Sequence, residues 1–212
     1  MEPSIKPAPR SSRDEVWTFF RQWLRRPLST AAVSPSSRFL ARRMVAALPS
    51  GAHRIIELGA GTGTFTRALL EQGIAPSDLL AVEFNPALHE YLTGRFPGVQ
   101  VVQADARRLG ESEPVQAFAR SGPVQAVISG LGLLAMPKAS QRDILAAALA
   151  LMDSDGVFVQ FTYGPVAPVH PEVLRELNLH AVRRGFTLLN VPPASVYTFT
   201  RRRAVAVPTI SV

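Results

Sequence analysis

Two periods of apolar residues run along the chain, and the change between them sets the expected architecture. From Asp14 to Arg26, at 100° per residue, Phe19, Trp23, Val16, Phe20, Leu24 and Trp17 fall in one arc of about 160°. Arg21, Arg25, Thr18, Gln22 and Arg26 take the opposite side, so an amphipathic helix is expected there. Pro27 closes it, residues 28–35 form a loop, and Pro35-Ser36-Ser37 cap a second helix that runs to about residue 48. Beyond Pro49-Ser50-Gly51, strands expected at 54–58, 79–84, 99–104, 124–129 and 157–162 alternate with helices at 65–72, 86–95, 112–121 and 140–152. Such a series gives an α/β fold of the doubly wound kind, with a mostly parallel sheet covered on both faces. A helix over 171–180 and two β-like runs, 186–191 and 195–202, complete a seven-stranded count. The two runs are joined by Pro192-Pro193 and read as a hairpin that sets an antiparallel last strand in the sheet. Three units follow: a disordered tail over 1–12, N-terminal helices over 13–50, and one α/β domain over 51–212.

Composition narrows the chemistry. The chain has 212 residues, 47% of them hydrophobic, enough to bury a core. It has no cysteine, which excludes disulfides, thiolate nucleophiles and cysteine-held metal centres, and its four histidines (His53, His89, His170, His180) show no metal-ligand spacing, so no metal is expected. The longest apolar run, residues 144–152, is too short to span a bilayer. The N-terminus lacks the apolar stretch of a secretory signal, and Glu2, Asp14 and Glu15 argue against a transit peptide, so a cytoplasmic location is expected. The net charge of +7 is carried within residues 1–54, which hold ten basic residues against three acidic ones, while the remainder balances. An anionic partner is therefore expected at the N-terminal quarter.

The most specific motif is Glu57-Leu58-Gly59-Ala60-Gly61-Thr62-Gly63, between a strand and a helix. Its spacing is neither the Gly-x-Gly-x-x-Gly of dinucleotide folds nor a P-loop, and an acid beside the glycines disfavours bound phosphate. Glu83, at the end of the second strand, can accept from both hydroxyls of a ribose, and Asp105, after the third, from an exocyclic amine such as adenine's. Three carboxylates at three strand ends suit a cationic ligand with a ribose and an adenine and no phosphate, properties that S-adenosylmethionine combines.

In these motifs the chain resembles the class I S-adenosylmethionine-dependent methyltransferases, whose Rossmann-like fold likewise ends in an antiparallel hairpin. The resemblance implies that Gly59, Gly61 and Gly63 line the methionine and ribose, that Glu57 lies near the ammonium or its waters, and that S-adenosylhomocysteine is the product. It extends the cofactor set to Ser37, Ala60, Thr62, Phe84, Ala106, Ser129, Gly130 and Leu131.

Base N-methyltransferases carry a polar-aromatic motif after the fourth strand. Here that place reads Ser129-Gly130-Leu131-Gly132-Leu133-Leu134, with neither the polar grip nor the ring, so a nucleic-acid substrate is disfavoured. The helix over 14–26 has the build of an interfacial membrane helix, with Trp17, Phe20, Arg21, Trp23, Leu24 and Arg25 as its membrane-binding residues. Packing of that helix on the core is the competing reading.

The stretch 26–41, Ser129-Gly130-Leu131, Gln160-Phe161-Thr162-Tyr163-Gly164-Pro165 and Pro192-Pro193-Ala194-Ser195-Val196-Tyr197 resemble bacterial phospholipid N-methyltransferases over about residues 15–203. Gly132 departs from the proline often found there. This resemblance implies N-methylation of phosphatidylethanolamine towards phosphatidylcholine, by an enzyme held peripherally on the inner face of an anionic cytoplasmic membrane. Transfer needs a neutral amine, so a proton must leave first. Tyr163, His170 and Tyr197 are the candidates for accepting it or for holding the amine. Arg201-Arg202-Arg203 with Arg183-Arg184 reads either as a lipid-phosphate contact or as a solvated hairpin edge. Competing functions are an RNA adenine N6-dimethyltransferase, an N-methyltransferase of another aminolipid such as ornithine lipid or of a small amine, and a non-catalytic membrane module. The sequence leaves the oligomeric state open.

Overall fold

The computed structural model describes residues 35–163, 166–187 and 193–202. The expected interfacial helix with Trp17, Phe20, Arg21, Trp23, Leu24 and Arg25, the tail over 1–12, Pro192 and Arg203 lie outside them.

Seven strands form one sheet in the order β3-β2-β1-β4-β5-β7-β6. They are β1 (Ile55–Leu58), β2 (Leu79–Glu83), β3 (Gln100–Gln103), β4 (Val124–Ser129), β5 (Met152–Tyr163), β6 (Leu179–Thr187) and β7 (Ala194–Arg201). The first five are parallel, and β7 lies antiparallel between β5 and β6. The helices are α1 (Pro35–Ala46), α2 (Thr64–Glu71), α3 (Pro86–Arg95), α4 (Glu113–Arg120), α5 (Lys138–Leu151) and α6 (Pro171–Glu176). β1 and β2, apolar except for Glu57 and Glu83, are buried at every position, as strands covered on both faces require. Two cores result. Ile56, Leu58, Val127, Phe158 and Phe199 pack on the face carrying α4 and α5. Ile55, Ile128 and Val159 pack on the other, with Met44 of α1 and Leu69 of α2.

The C-terminal third departs from expectation. The helix expected over 171–180 ends at Glu176, because Asn178 adopts a left-handed conformation (φ 51) that turns the chain into β6. The strand expected over 186–191 accordingly begins at Leu179, whose side chain is buried, and pairs with β7 through a bulge between Arg183 and Gly185. Arg201 and Arg202 do not present a free cationic edge. Arg201 donates to the carbonyls of Leu149 and Asp153, capping the C-terminus of α5, and Arg202 Nε donates to Leu179 O at 3.1 Å. Arg184 Nε donates to Thr198 Oγ1 at 3.0 Å. Arg54, counted above with the basic N-terminal quarter, pairs with Asp78 at 3.0 Å and lies over the Phe118 ring, at the N-terminal end of the sheet.

Candidate functional site

The order β3-β2-β1-β4 sets the carboxyl ends of four consecutive strands side by side, with the chain reversing direction across the sheet between β1 and β4, where open α/β sheets bind ligands. Gly59, Gly61 and Gly63 all have positive φ (67, 58 and 78), so the turn after β1 uses conformations that residues with a Cβ rarely adopt. The turn is also tight. A Cβ on Gly63 would lie 2.1 Å from the Phe96 ring, and one on Gly130 would lie 2.6 Å from the Gly59 carbonyl oxygen. Gly59 N donates to Val82 O and Gly130 N to Leu58 O, both at 2.8 Å, which joins the loops after β1, β2 and β4 into one floor.

Two carboxylates stand in that floor. Glu57 is fully buried, and its Oε2 accepts from Thr66 Oγ1 at 2.6 Å. Its Oε1 is buried without a partner among the described residues. Burial pushes the Glu57 carboxyl up to about 8, and the Thr66 bond offsets only part of that. A buried carboxyl with an orphaned acceptor matches a ligand that brings a cation or donor. Glu83 accepts from Gly61 N at 2.8 Å and from Asn85 N at 2.9 Å, one bond to each oxygen, leaving each a lone pair for a diol. The neighbouring Phe84 ring is 69% exposed, which is unusual for so large an apolar group and leaves its face open to a flat ligand.

Asp105 differs from expectation. It lies after β3 as expected, but Arg107 closes on both its oxygens, with Nε at 3.1 and 3.0 Å, and Arg107 N donates to Oδ1 at 2.9 Å. This pairing holds the Asp105 carboxyl below the usual carboxylate range. An exocyclic amine at Asp105 would share or displace that guanidinium. Ala106 follows in a turn closed by Arg108 N on Asp105 O at 2.9 Å. Ala60 and Ser129 are buried, Ser129 Oγ accepts from Leu131 N at 3.3 Å, and Thr62 is half-buried at the end of the glycine turn. Ser37 lies in α1, its side chain outside the described residues.

The three residues expected to handle the amine do not converge. Tyr163 and Tyr197 lie on opposite faces of the sheet, since Tyr163 pairs with Ala194, three residues before Tyr197. Tyr197 is buried in the core beneath α5 and stacks on Phe199. His170 caps α6, its Nδ1 accepting from Glu172 N at 3.3 Å, and its backbone N bonds Gln141 Oε1 at 2.8 Å. Tyr163 instead packs edge-on to Phe161 (5.4 Å), which meets Phe65 of α2 (6.0 Å), forming an aromatic cluster on the side of the glycine turn. Burial raises the Tyr163 hydroxyl above its ordinary value, so it stays protonated at neutral pH and is suited to hold an amine rather than to accept its proton.

Sequence reasoning passed over Gln160 as a site residue. Its Nε2 donates to Leu131 O at 2.7 Å and fixes the loop after β4, while its Oε1 is buried without a partner among the described residues. The signal was a glutamine set among Val157, Phe158, Val159 and Phe161.

Residues 55–156 match the family described as the methyltransferase domain. The chain is similar to an ornithine lipid N-methyltransferase of Singulisphaera acidiphila, 29% identical over 189 residues that make up 86% of this chain and 94% of that protein. Among solved structures, a TehB-like S-adenosylmethionine-dependent methyltransferase from Corynebacterium glutamicum superposes with a TM-score of 0.58 at 20% identity, covering 89% of this chain and 99% of the other. The 1,6-didemethyltoxoflavin-N1-methyltransferase of Burkholderia thailandensis, with S-adenosylhomocysteine bound, does so with a TM-score of 0.59 at 18% identity, covering 92% and 93%.

Proposed function

We propose that the chain, whose residues 55–156 match the methyltransferase domain, is a class I S-adenosylmethionine-dependent methyltransferase that methylates the amine of an aminolipid headgroup at a membrane surface. The observation that carries this is the similarity to the ornithine lipid enzyme, which spans nearly the whole of both chains. Ornithine lipid and phosphatidylethanolamine are the two substrates in view, the second favoured by the phospholipid-enzyme motifs at residues 26–41, 129–131 and 160–165.

The cofactor supplies an electrophilic methyl on a sulfonium. Glu57 would offer its open Oε1 to the ammonium of the methionine moiety, Glu83 would accept from the ribose hydroxyls, and the exposed Phe84 ring would meet the adenine. Asp105 would accept from the adenine amine, sharing its oxygens with Arg107. Gly59, Ala60, Gly61, Thr62, Gly63, Ala106, Ser129, Gly130 and Leu131 provide backbone surface close enough to exclude water from the transfer. On the substrate side, the rings of Phe65, Phe161 and Tyr163 suit an ammonium that gains methyl groups, because each methyl weakens hydrogen bonding while a π face still attracts the cation. Tyr163 orients the amine through its hydroxyl, and the proton leaves to solvent. We keep His170 and Tyr197 out of the chemistry, as helix cap and core residue.

Membrane contact is part of the same proposal. No helix among the described residues is long and apolar enough to cross a bilayer. Phe39 of α1 and Phe186 of β6 are 40% and 43% exposed, and α1 also carries Arg38, Arg42 and Arg43. Cations interleaved with exposed rings are the pattern of a surface that docks on anionic lipid. Incubation with radiolabelled cofactor and separate pools of phosphatidylethanolamine vesicles, ornithine lipid vesicles, RNA and small amines tests the reading. Label in the chloroform-soluble fraction is expected, and label confined to RNA or to the aqueous amines refutes it.

A further inference from the structure

A cavity of about 150 Å³ opens where α1 lies against α2. Arg38 and Arg42 line it from α1, and Arg67 and Glu71 from α2, and its wall reaches Thr62 and Thr64 at the end of the glycine turn. Three arginines and a single glutamate thus line one small space, Arg38, Arg42 and Glu71 with exposed side chains and Arg67 half-buried. None of the three is in an ion pair among the described residues, whereas Arg54, Arg107, Arg120 and Arg142 each meet a carboxylate. A lining with three cations to one carboxylate carries a net positive potential that favours an anionic ligand. The planar fork of arginine matches the paired oxygens of carboxylate and phosphate. The volume is below the roughly 300 Å³ at which sites for whole small molecules begin, so it suits an anionic group rather than a nucleotide.

We propose that this arginine cavity is an anion subsite of the substrate site, holding the phosphate or carboxylate that adjoins the reactive amine of an aminolipid headgroup. The assignment rests on the aminolipid reading above. Both headgroups in view are zwitterions in which a short aliphatic spacer separates anion from amine. The cavity lies on the same side of the sheet as the Phe65–Phe161–Tyr163 cluster and reaches the turn expected to hold the cofactor. One headgroup can therefore place its anion among the arginines and its amine towards the rings. This explains selection of an aminolipid over a simple fatty amine, which offers no anion.

The full-length chain and its Arg38→Gln, Arg42→Gln, Arg67→Gln and Arg67→Lys variants test this, with Arg120→Gln as a surface control. Rates are measured on neutral phosphatidylcholine vesicles doped with phosphatidylethanolamine or with ornithine lipid. Binding of S-adenosylhomocysteine is followed by calorimetry and vesicle binding by sedimentation. The glutamine variants should raise KM for the aminolipid roughly tenfold or more, the loss expected for one charge-assisted bond, with Arg67→Lys intermediate. Cofactor affinity should stay within about twofold of wild type in every variant, and so should vesicle sedimentation in Arg67→Gln and Arg67→Lys, whose residue lies outside the docking surface on α1. Soluble glycerophosphoethanolamine should inhibit wild type and lose potency in Arg67→Gln if the anion is a phosphate; ornithine amides of short fatty acids should do so if it is a carboxylate. Unchanged KM for both lipids overturns the assignment. So does a KM rise that merely follows lost sedimentation, or a tenfold fall in S-adenosylhomocysteine affinity, which would put the cofactor's own carboxylate in the cavity. Inhibition by inorganic phosphate as strong as that by glycerophosphoethanolamine would identify a free-phosphate site and also overturn it. If wild type labels no lipid, the aminolipid reading fails instead, and calorimetry of glycerophosphoethanolamine on wild type and Arg67→Gln still decides whether the cavity takes the anion.

Discussion

Glu57→Gln separates what the buried carboxyl does for the cofactor from what it does to the fold. In the cofactor-free protein, complete burial lifts this group from 4.5 to about 8. A folded-state value above the unfolded one means that the native state holds a proton which the unfolded chain releases. The group's contribution is therefore fully favourable below about pH 4.5 and is lost as pH rises to about 8. At about pH 7.5 the difference spans roughly three units, an upper limit of about 4 kcal/mol, of which roughly half survives relaxation around the site. Glutamine preserves the shape and the bond to Thr66 and does not titrate. Cofactor-free Glu57→Gln should thus be more stable than wild type at pH 8 by about 2 kcal/mol, or roughly 4–8 °C in Tm for a domain of this size, and the two should converge near pH 5. The assay is thermal unfolding of both proteins from pH 5 to 8.5. The variant should also lose at least tenfold in S-adenosylmethionine affinity. In wild type at pH 7, calorimetry in buffers of different ionisation enthalpy should show proton release on binding, because the ligand's ammonium favours the ionised carboxylate. Parallel stability curves would refute the titration argument, and an unchanged cofactor affinity would refute the placing of Glu57 at the ammonium.

Gly130→Ala drives a Cβ to within 2.6 Å of the Gly59 carbonyl and should lower cofactor affinity by an order of magnitude or cost about 1–3 kcal/mol, read by calorimetry and denaturant unfolding. Arg201→Met removes the cap on α5 and should cost about 1–2 kcal/mol of stability while leaving KM for lipid unchanged; a KM effect without destabilisation would restore the phosphate contact first considered for this arginine. Tyr163→Phe should retain stability and cofactor affinity, lower turnover of the aminolipid and leave the alkaline limb of the pH profile in place, since its hydroxyl does not titrate near neutrality. Tyr197→Ala should cost about 3–5 kcal/mol, with lost activity tracking lost folded protein.

The geometry of the proposed cofactor half of the site was legible because its determinants are local. A glycine with positive φ and an acid at a strand end need only their immediate neighbours to be interpreted, and residues 57–63 and Glu83 fall where the spacing put them. Asp105 was found in place, but its partner Arg107 was not foreseen, since a two-residue ion pair leaves no periodic trace. The substrate half was not legible. Whether Tyr163 and Tyr197 share a face depends on the register between β5 and β7, which is set by the whole sheet. Nor did periodicity place the start of β6, because its exposed edge position lets polar residues such as His180, Arg183 and Arg184 interrupt the apolar pattern that marks buried strands. His170 was singled out for its chemistry, and its ring is engaged in capping α6, a use that depends on where the helix starts.

Charge shows the same limit most clearly. Dividing the chain at residue 54 put Arg54 with the anion-binding arginines and Arg67 with the neutral remainder, and folding reverses both. Arg54 is held by Asp78, Ser121 and the Phe118 carbonyl at the far end of the sheet from the glycine turn. Arg67 crosses from the balanced segment to join Arg38 and Arg42 beside the glycine turn. The cationic surface that matters is thus narrower than the net charge of +7 suggests, and it is built from two segments. A concentrated site next to the reacting groups differs from a diffuse basic tail in its response to salt. Screening weakens recruitment by exposed charges at a Debye length of about 8 Å, yet spares a contact made inside a cavity. Raising salt should therefore lower vesicle binding well before it raises KM for a headgroup already at the surface, and a parallel loss of both would mean that all the arginines act only as a surface field.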